Sequence, residues 1–246
     1  MKKAFTLEEE RLYRDEYIAK AFKMLRVPGM ATFYREVIEG IEDVQGLDAA
    51  TIIEKLVDAE MMSRSGNKGA KLIQAARLWY PQADLSDLKG NNAALDVNLV
   101  STLSKCGFIE AGAFVIITGR PKSGTTYLGC AIAASACRLA YKTTYKRYFD
   151  LMLEITQARS NDSLSECLDK YRKAKCLVID DWMNISMGSS ELTFIKEIID
   201  YRSHYGGTIL ISHSLVDEWP ELLDSHFQSK ISMIETITHG ATIINI

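Results

Sequence analysis

Along the first hundred positions the apolar residues fall at helical spacings. From about 6 to 26, Leu12, Ile18, Ala19, Phe22 and Leu25 share a period near 3.6, and Thr6 followed by Glu9 has the form of a capping box. Val27-Pro28-Gly29 stops that helix, and a second is predicted over about 30–39. Asp48 caps a third, over about 49–64, with Ile52, Ile53, Leu56, Val57 and Met61 as its apolar stripe. Ser65-Gly66-Asn67 reads as a break. A fourth helix is predicted over 68–80, ending before Pro81, and a fifth over 96–106. No segment before residue 108 alternates as a strand.

The pattern then changes. Phe114-Val115-Ile116-Ile117-Thr118 is a short β-branched run ending in glycine, as a buried strand requires. Similar runs occupy 176–180, 208–212 and 241–245, and a more polar strand is possible over 141–149. Helical segments near 124–140, 163–173 and 189–205 separate them. Strands apolar on both faces that alternate with helices specify a parallel sheet covered on both sides. The expected architecture is therefore an all-helical N-terminal domain, residues 1–108, followed by a three-layer α/β domain, residues 109–246.

Charge narrows the functional classes. The 246 residues carry 29 Lys+Arg against 32 Asp+Glu, a net −3 at pH 7, which excludes a globally basic nucleic-acid coat but not a local patch. No apolar run approaches the roughly 18–20 residues that cross a bilayer. Met1-Lys2-Lys3 leads into Glu8-Glu9-Glu10 rather than an apolar signal core. A soluble cytoplasmic protein with no membrane association is expected. The cysteines Cys106, Cys130, Cys137, Cys167 and Cys176 form no C-x-x-C pair and have no His at zinc spacing, so they read as small buried apolar residues. His204, His213, His226 and His239 make no metal motif, and Ser123 and Ser212 lack the glycines of a nucleophile elbow.

One constellation carries chemistry. Gly119-Arg120-Pro121-Lys122-Ser123-Gly124-Thr125-Thr126 lies where the first strand turns into the helix at about 124, and with the following Tyr127 these are the candidate cofactor-binding residues. Backbone N–H groups of such a loop, with the helix N-terminus, can wrap an anion. The glycine spacing and Thr126 fit G-x-x-x-x-G-K-[ST], but Thr125 stands where that motif has lysine, and the only loop lysine is Lys122. An ordinary strand-to-helix turn would also fit the glycines. The apolar run Leu177-Val178-Ile179 ends in Asp180-Asp181. In P-loop NTPases an acid there holds Mg²⁺ together with the loop hydroxyl, and a second acid orients water. Residues 111–149 contain Arg120, Lys122, Arg138, Lys142, Lys146 and Arg147 and no acid. That field suits polyphosphate or nucleic acid, or is simply solvated. Lys142, Lys146 and Arg147 interleave with aromatics, and Lys20, Lys23 and Arg26 recur at helical spacing; both sets are candidate DNA contacts.

These motifs resemble the IstB-like AAA+ ATPases, helpers of insertion-sequence transposases related to DnaC helicase loaders. The resemblance runs from about residue 22 to 235. It rests on Phe22-Lys23-Met24-Leu25-Arg26-Val27-Pro28-Gly29-Met30, the strand-loop-helix at 114–141, and the acidic strand at 177–181. It continues through Asp200-Tyr201-Arg202, Gly207-Thr208-Ile209-Leu210-Ile211-Ser212-His213 and the Trp219 segment. The resemblance implies a helical domain for DNA contact or oligomerisation, a P-loop core binding ATP and Mg²⁺, and a homo-oligomer on double-stranded DNA. A transposase or helicase would be the protein partner. Thr126 and Asp180 would hold the metal, and Asp181 would be the water-orienting acid.

The sequence departs from that family at three places. The loop lysine is Thr125, the sensor asparagine is His213, and the trans-acting arginine aligns with Ser225. Each such group stabilises charge on the transferring phosphoryl, so ATP binding with weak or absent hydrolysis is the expectation. An active ATPase of the loader type, with Lys122 as the cation, and an adaptor that binds no nucleotide are the alternatives.

Overall fold

The computed structural model describes residues 6–88, 95–184, 189–222 and 228–246, with side chains from 192 and 231 onward in the last two stretches. It forms two compact units, the first ending at Lys68 and the second running from Gly69 to Ile246.

The first unit holds α1 (Leu7–Leu25), α2 (Pro28–Ile38) and most of α3 (Ala49–Ala76). Thr6 closes the capping box: its Oγ1 accepts from the Glu9 amide, and Glu9 accepts from the Thr6 amide. Pro28 sits in the first turn of α2, where its missing N–H costs nothing. Gly29 is there for closeness: a Cβ would come 2.3 Å from the Ala59 carbonyl oxygen. That approach lets buried Glu60 accept from the amides of Gly29 at 2.7 Å and Met30 at 3.3 Å, satisfying orphan donors of α2. Arg64 completes the cluster, 2.6 Å from the other Glu60 oxygen. Its hydrogen bond, aided by the two amides, holds the Glu60 carboxyl below its ordinary range against the cost of burial.

Helix α3 runs unbroken through Ser65-Gly66-Asn67, where a break is expected from sequence. A helix interior tolerates Gly at about 1 kcal/mol, and the apolar positions continue beyond it at Leu72, Ile73 and Ala76, which pack on the second unit's core. The compact units accordingly divide at Lys68/Gly69, well before the boundary expected near residue 108. Residues 69–108 supply Leu78, Ala83, Leu85, Leu95, Val100 and Leu103 to that core.

In the second unit, α4 (Val97–Ser104) and α5 (Gly107–Glu110) lead into β1 (Phe114–Thr118) and α6 (Thr125–Arg138). Then come β2 (Thr143–Arg147), α7 (Tyr148–Ser160), α8 (Leu164–Arg172) and β3 (Cys176–Asp180). The chain continues with α9 (Ser189–Arg202), β4 (Gly207–Ser212), α10 (Trp219–Leu222), α11 (Gln228–Thr238) and β5 (Thr242–Asn245). The five strands pair in parallel in the order β2-β3-β4-β1-β5. Every residue of β1, β3 and β4 is buried, because helices cover both sheet faces. One face packs on α6, whose small residues Ala131, Ala133, Ala134 and Ala136 let it lie close; the other packs on α7, α8, α9 and α11. All five cysteines are buried free thiols, and burial pushes Cys130 up to about 11.

The polar strand expected over 141–149 is only Thr143–Arg147. Tyr148, Leu151, Met152, Ile155 and Ala158 then follow the helical period of α7. Arg202, fully buried at the end of α9, ties the starts of β3 and β4 together. Its Nε donates to Thr208 Oγ1 at 2.7 Å, and Nη1 to the carbonyls of Ala174 (2.7 Å), Tyr171 (2.9 Å) and Arg172 (3.2 Å). Nη2 donates to the Gly207 carbonyl. Burial lowers its pKa to about 10, so it stays charged at neutral pH.

Candidate nucleotide-binding site

Parallel register brings the strand ends together: Thr118 lies beside Ser212, and Arg147 beside Asp180. The loops leaving β1, β3 and β4 therefore emerge at the carboxyl edge of the sheet, where open α/β sheets bind ligands.

The loop after β1 begins at buried Gly119, whose amide donates to the Ser212 carbonyl at 3.3 Å. Side chains are excluded there: a Cβ would come 2.2 Å from the Ile246 carbonyl oxygen and 2.6 Å from Ser123 Oγ. Arg120, Pro121, Lys122 and Ser123 are exposed, and the Ser123 amide closes a turn on the Arg120 carbonyl at 3.0 Å. Lys122 and Gly124 take positive φ, 72° and 101°, which turns the chain into the N-terminus of α6. Thr125 is 2% exposed, so the residue in the lysine position packs inward. Thr126 is half-buried, and its hydroxyl donates to Asp180 Oδ1 at 3.4 Å.

Asp180 ends β3 and is buried. Tyr145 of β2 donates its hydroxyl to Oδ2 at 2.6 Å, and the Asp181 amide donates to Oδ1 at 2.8 Å. Burial nevertheless raises its pKa above the ordinary carboxylate value, with the neighbouring Asp181 charge adding to the rise. A buried carboxylate with unpaid desolvation is one that a cation would stabilise. The Tyr145 hydroxyl is pushed up by the same burial and by Asp180 itself, so it stays a donor.

Asp181 sits at a φ of 56°, with one oxygen hydrogen-bonded and the other facing a histidine. Arg147 Nε donates to Oδ2 at 3.0 Å, and His213 Nε2 lies 3.4 Å from Oδ1. The other ring nitrogen of His213 lies 3.4 Å from the Gly119 carbonyl oxygen. The histidine in the sensor position thus spans the loop and the second acid.

Two aromatics complete the mouth. Trp79, Tyr80, Thr126, Tyr145, Arg147, Asp180 and Asp181 line a cavity of about 240 Å³. The Arg147 guanidinium carbon lies 5.8 Å from the centroid of the Trp79 ring. Tyr80 stacks obliquely on Tyr127, 5.7 Å between centroids, and Tyr127 donates its hydroxyl to Asp87 at 2.6 Å. Trp79 and Tyr80 are absent from the sequence-based candidates; the two consecutive aromatics before Pro81 were the available signal.

These residues fit a magnesium–triphosphate group. The loop presents backbone, and Thr126 with Asp180 gives a hydroxyl and a carboxylate at one point; Mg²⁺ is commonly bound by one or two carboxylates with phosphate and water oxygens as the rest. Among the described residues no three His, Cys, Asp or Glu side chains converge on a metal position.

The predicted DNA contacts separate. Lys142 and Lys146 line a different cavity of about 670 Å³ with Arg77, Lys170 and Lys173, and Lys146 pairs with Glu154 at 2.7 Å. Arg147 turns to Asp181 instead. Lys20, Lys23 and Arg26 are exposed in the first unit, with Lys20 paired to Glu16 and Arg26 in the left-handed cap of α1. Ser225, aligned with the trans-acting arginine, lies outside the described residues.

Comparison with known proteins agrees with this geometry. The family described as IstB-like ATP binding protein matches residues 20–246. A protein named for ATP binding in insertion sequence IS1162 of Pseudomonas fluorescens is 30% identical over 158 residues, 64% of this chain and 68% of that one. One named likewise in IS5376 of Geobacillus stearothermophilus is 22% identical over 223 residues, covering 90% of this chain and 88% of the relative. The crystal structure of the DnaC helicase loader superposes with a TM-score of 0.56 at 19% identity, over 69% of this chain and 98% of that one, a likeness of fold.

Proposed function

Because the chain belongs to the family of IstB-like ATP-binding proteins, we propose that it is an AAA+ accessory protein that binds ATP with Mg²⁺ and assembles as a homo-oligomer on duplex DNA to assist a transposase. The observation that carries the nucleotide reading is the meeting of Thr126 and Asp180, 3.4 Å apart, beside an exposed glycine loop. Bound there, Mg²⁺ would neutralise phosphate charge. The protein's part is to cradle the phosphates on the amides of residues 119–126 and to anchor the cation through Thr126 and Asp180. The insertion-sequence relatives support the transposition context, and the exposed Lys20, Lys23, Lys142 and Arg26 support contact with a phosphate backbone. No described helix is long and apolar enough to cross a membrane.

Hydrolysis is proposed to be weak or absent. Thr125 carries no charge, and Asp181 is hydrogen-bonded to the Arg147 guanidinium at 3.0 Å; an acid held by a cation is a poorer acceptor for a water proton. Loss of a trans-acting arginine alone costs on the order of 10³–10⁵ in rate. ATP then serves as an assembly ligand. Calorimetric titration with ATP, with and without Mg²⁺, tests the binding claim; phosphate release in the presence of duplex DNA tests the second. No heat at millimolar ATP would overturn the first, and turnover near 1 s⁻¹ the second.

A further inference from the structure

We propose that Arg147 is the cation that binds the terminal phosphate of the nucleotide, taking the charge that Thr125 no longer supplies; the inference rests on the nucleotide reading above.

The loop lysine Lys122 is the obvious replacement from sequence, yet it is exposed and absent from the lining of the cavity in which Thr126 and Asp180 meet. The one cation in that lining is Arg147. Its position follows from the fold. Arg147 closes β2 in register with Asp180 on β3, so its side chain starts one strand away from the proposed metal ligand, at the same edge. Two contacts aim it across the mouth: Nε on Asp181 Oδ2 at 3.0 Å, and the guanidinium over the Trp79 ring.

The chemistry is suited to a phosphate. Nε is engaged, while no hydrogen bond from either Nη is found among the described residues. Those two donors are the fork that grips a phosphate bidentately. The side chain is 45% exposed, which leaves room for a ligand. The Asp181 hydrogen bond raises the guanidinium pKa further, so the charge is permanent. Two carboxylates against one guanidinium leave the cavity net negative, so the arginine does not preclude a divalent cation beside Asp180. A lysine on the loop would reach the phosphates from the α6 side; Arg147 comes from the β2 side, over the acids. It would therefore meet the end of a triphosphate rather than its middle. ATP, not ADP, should gain from it.

The test compares ATP and ADP affinities in Mg²⁺, read from calorimetry and from the change in tryptophan fluorescence, to which Trp79 at the cavity contributes, neither of which needs turnover. Arg147→Gln should weaken ATP roughly 10- to 100-fold, the value of one or two charge-assisted hydrogen bonds, and change ADP by less than about threefold. Arg147→Lys should fall between, keeping charge without the fork, and it serves if the Gln variant melts early. Equal losses for ATP and ADP, or unchanged ATP binding in a folded Arg147→Gln protein, would overturn the proposal. So would loss of the ATP preference in Lys122→Gln but not in Arg147→Gln. If the unaltered protein binds neither nucleotide, the reading of the site itself fails.

Discussion

Replacing Arg202 with methionine should destabilise the α/β unit severely while leaving the nucleotide site intact. The side chain is fully buried and gives hydrogen bonds to Thr208 Oγ1 and to the carbonyls of Tyr171, Arg172, Ala174 and Gly207. No carboxylate accompanies it, so the guanidinium is held by neutral acceptors alone among the described residues. Methionine keeps the aliphatic stem and strands every acceptor at once. Each buried acceptor left unsatisfied costs about 1–3 kcal/mol, although removing a buried charge returns part of its desolvation cost. The net is about 3–5 kcal/mol, the usual outcome of breaking a buried charged network. For a domain of this size that lowers Tm by roughly 6–20 °C. Urea unfolding followed through Trp182 and Trp219, both buried in the core of this unit, isolates it from the first unit. Arg202 sits at the amino ends of β3 and β4, away from Asp180, so ATP affinity at low temperature should be unchanged. A methionine variant within about 1 kcal/mol of the parent would refute the argument that the fork holds the strand starts together.

Thr125→Lys should tighten ATP at least about tenfold if the loop retains its backbone shape; because Thr125 is 2% exposed, an unchanged affinity would mean the lysine cannot thread out. Asp180→Asn should stabilise the nucleotide-free protein at neutral pH. Burial raises the Asp180 pKa above 3.8, so ionisation favours the unfolded chain, and stability is lost as pH rises from about 4 through the raised value. The variant's advantage in melting temperature should therefore vanish near pH 3, and the Mg²⁺ dependence of ATP binding should go with the carboxylate. Glu60 behaves oppositely: Arg64 lowers its pKa, so its stabilisation is complete above about 4.5 and fades as pH falls through the depressed value. Glu60→Gln should flatten that acid limb, followed as loss of helical circular dichroism.

What could be read from the chain depended on how locally each feature is specified. β1, β3 and β4 were legible because strands buried on both faces are apolar at every position, and Thr6 with Glu9 because a capping box is four residues long. The break in α3 was misread because glycine in a helix is a cost, not a prohibition, and the packing of Leu72, Ile73 and Ala76 outweighs it. Helix α7 was missed because Tyr148 and Phe149, good strand formers by propensity, follow β2 without a capping side chain. In the site, the loop, Thr126 and the acid pair were visible as motifs. The wall of Trp79 and Tyr80 and the direction of Arg147 were not. They depend on β2 lying beside β3, a pairing between residues far apart in sequence that no local pattern encodes.

Seen through energetics, the replacements sort by when they act. Groups that touch the nucleotide equally before and during reaction contribute to binding alone; rate comes from contacts that strengthen in the transition state. On the proposed reading the loop amides, Thr126 and Asp180 would belong to the first set. The lysine, sensor and trans-acting arginine positions belong to the second, and here they are Thr125, His213 and, outside the described residues, Ser225. Arg147 moreover holds one oxygen of Asp181, and His213 Nε2 stands 3.4 Å from the other. Each oxygen keeps a further lone pair, but the guanidinium charge beside Asp181 makes it a weaker base for a water proton. With the Arg147 charge shared with a terminal phosphate, the acid would be a stronger base but would still face a site short of transition-state charge. On the proposed reading, nucleotide binding and turnover would be uncoupled: such a protein would respond to whether ATP is present, and the duration of the bound state would be set by dissociation rather than by chemistry.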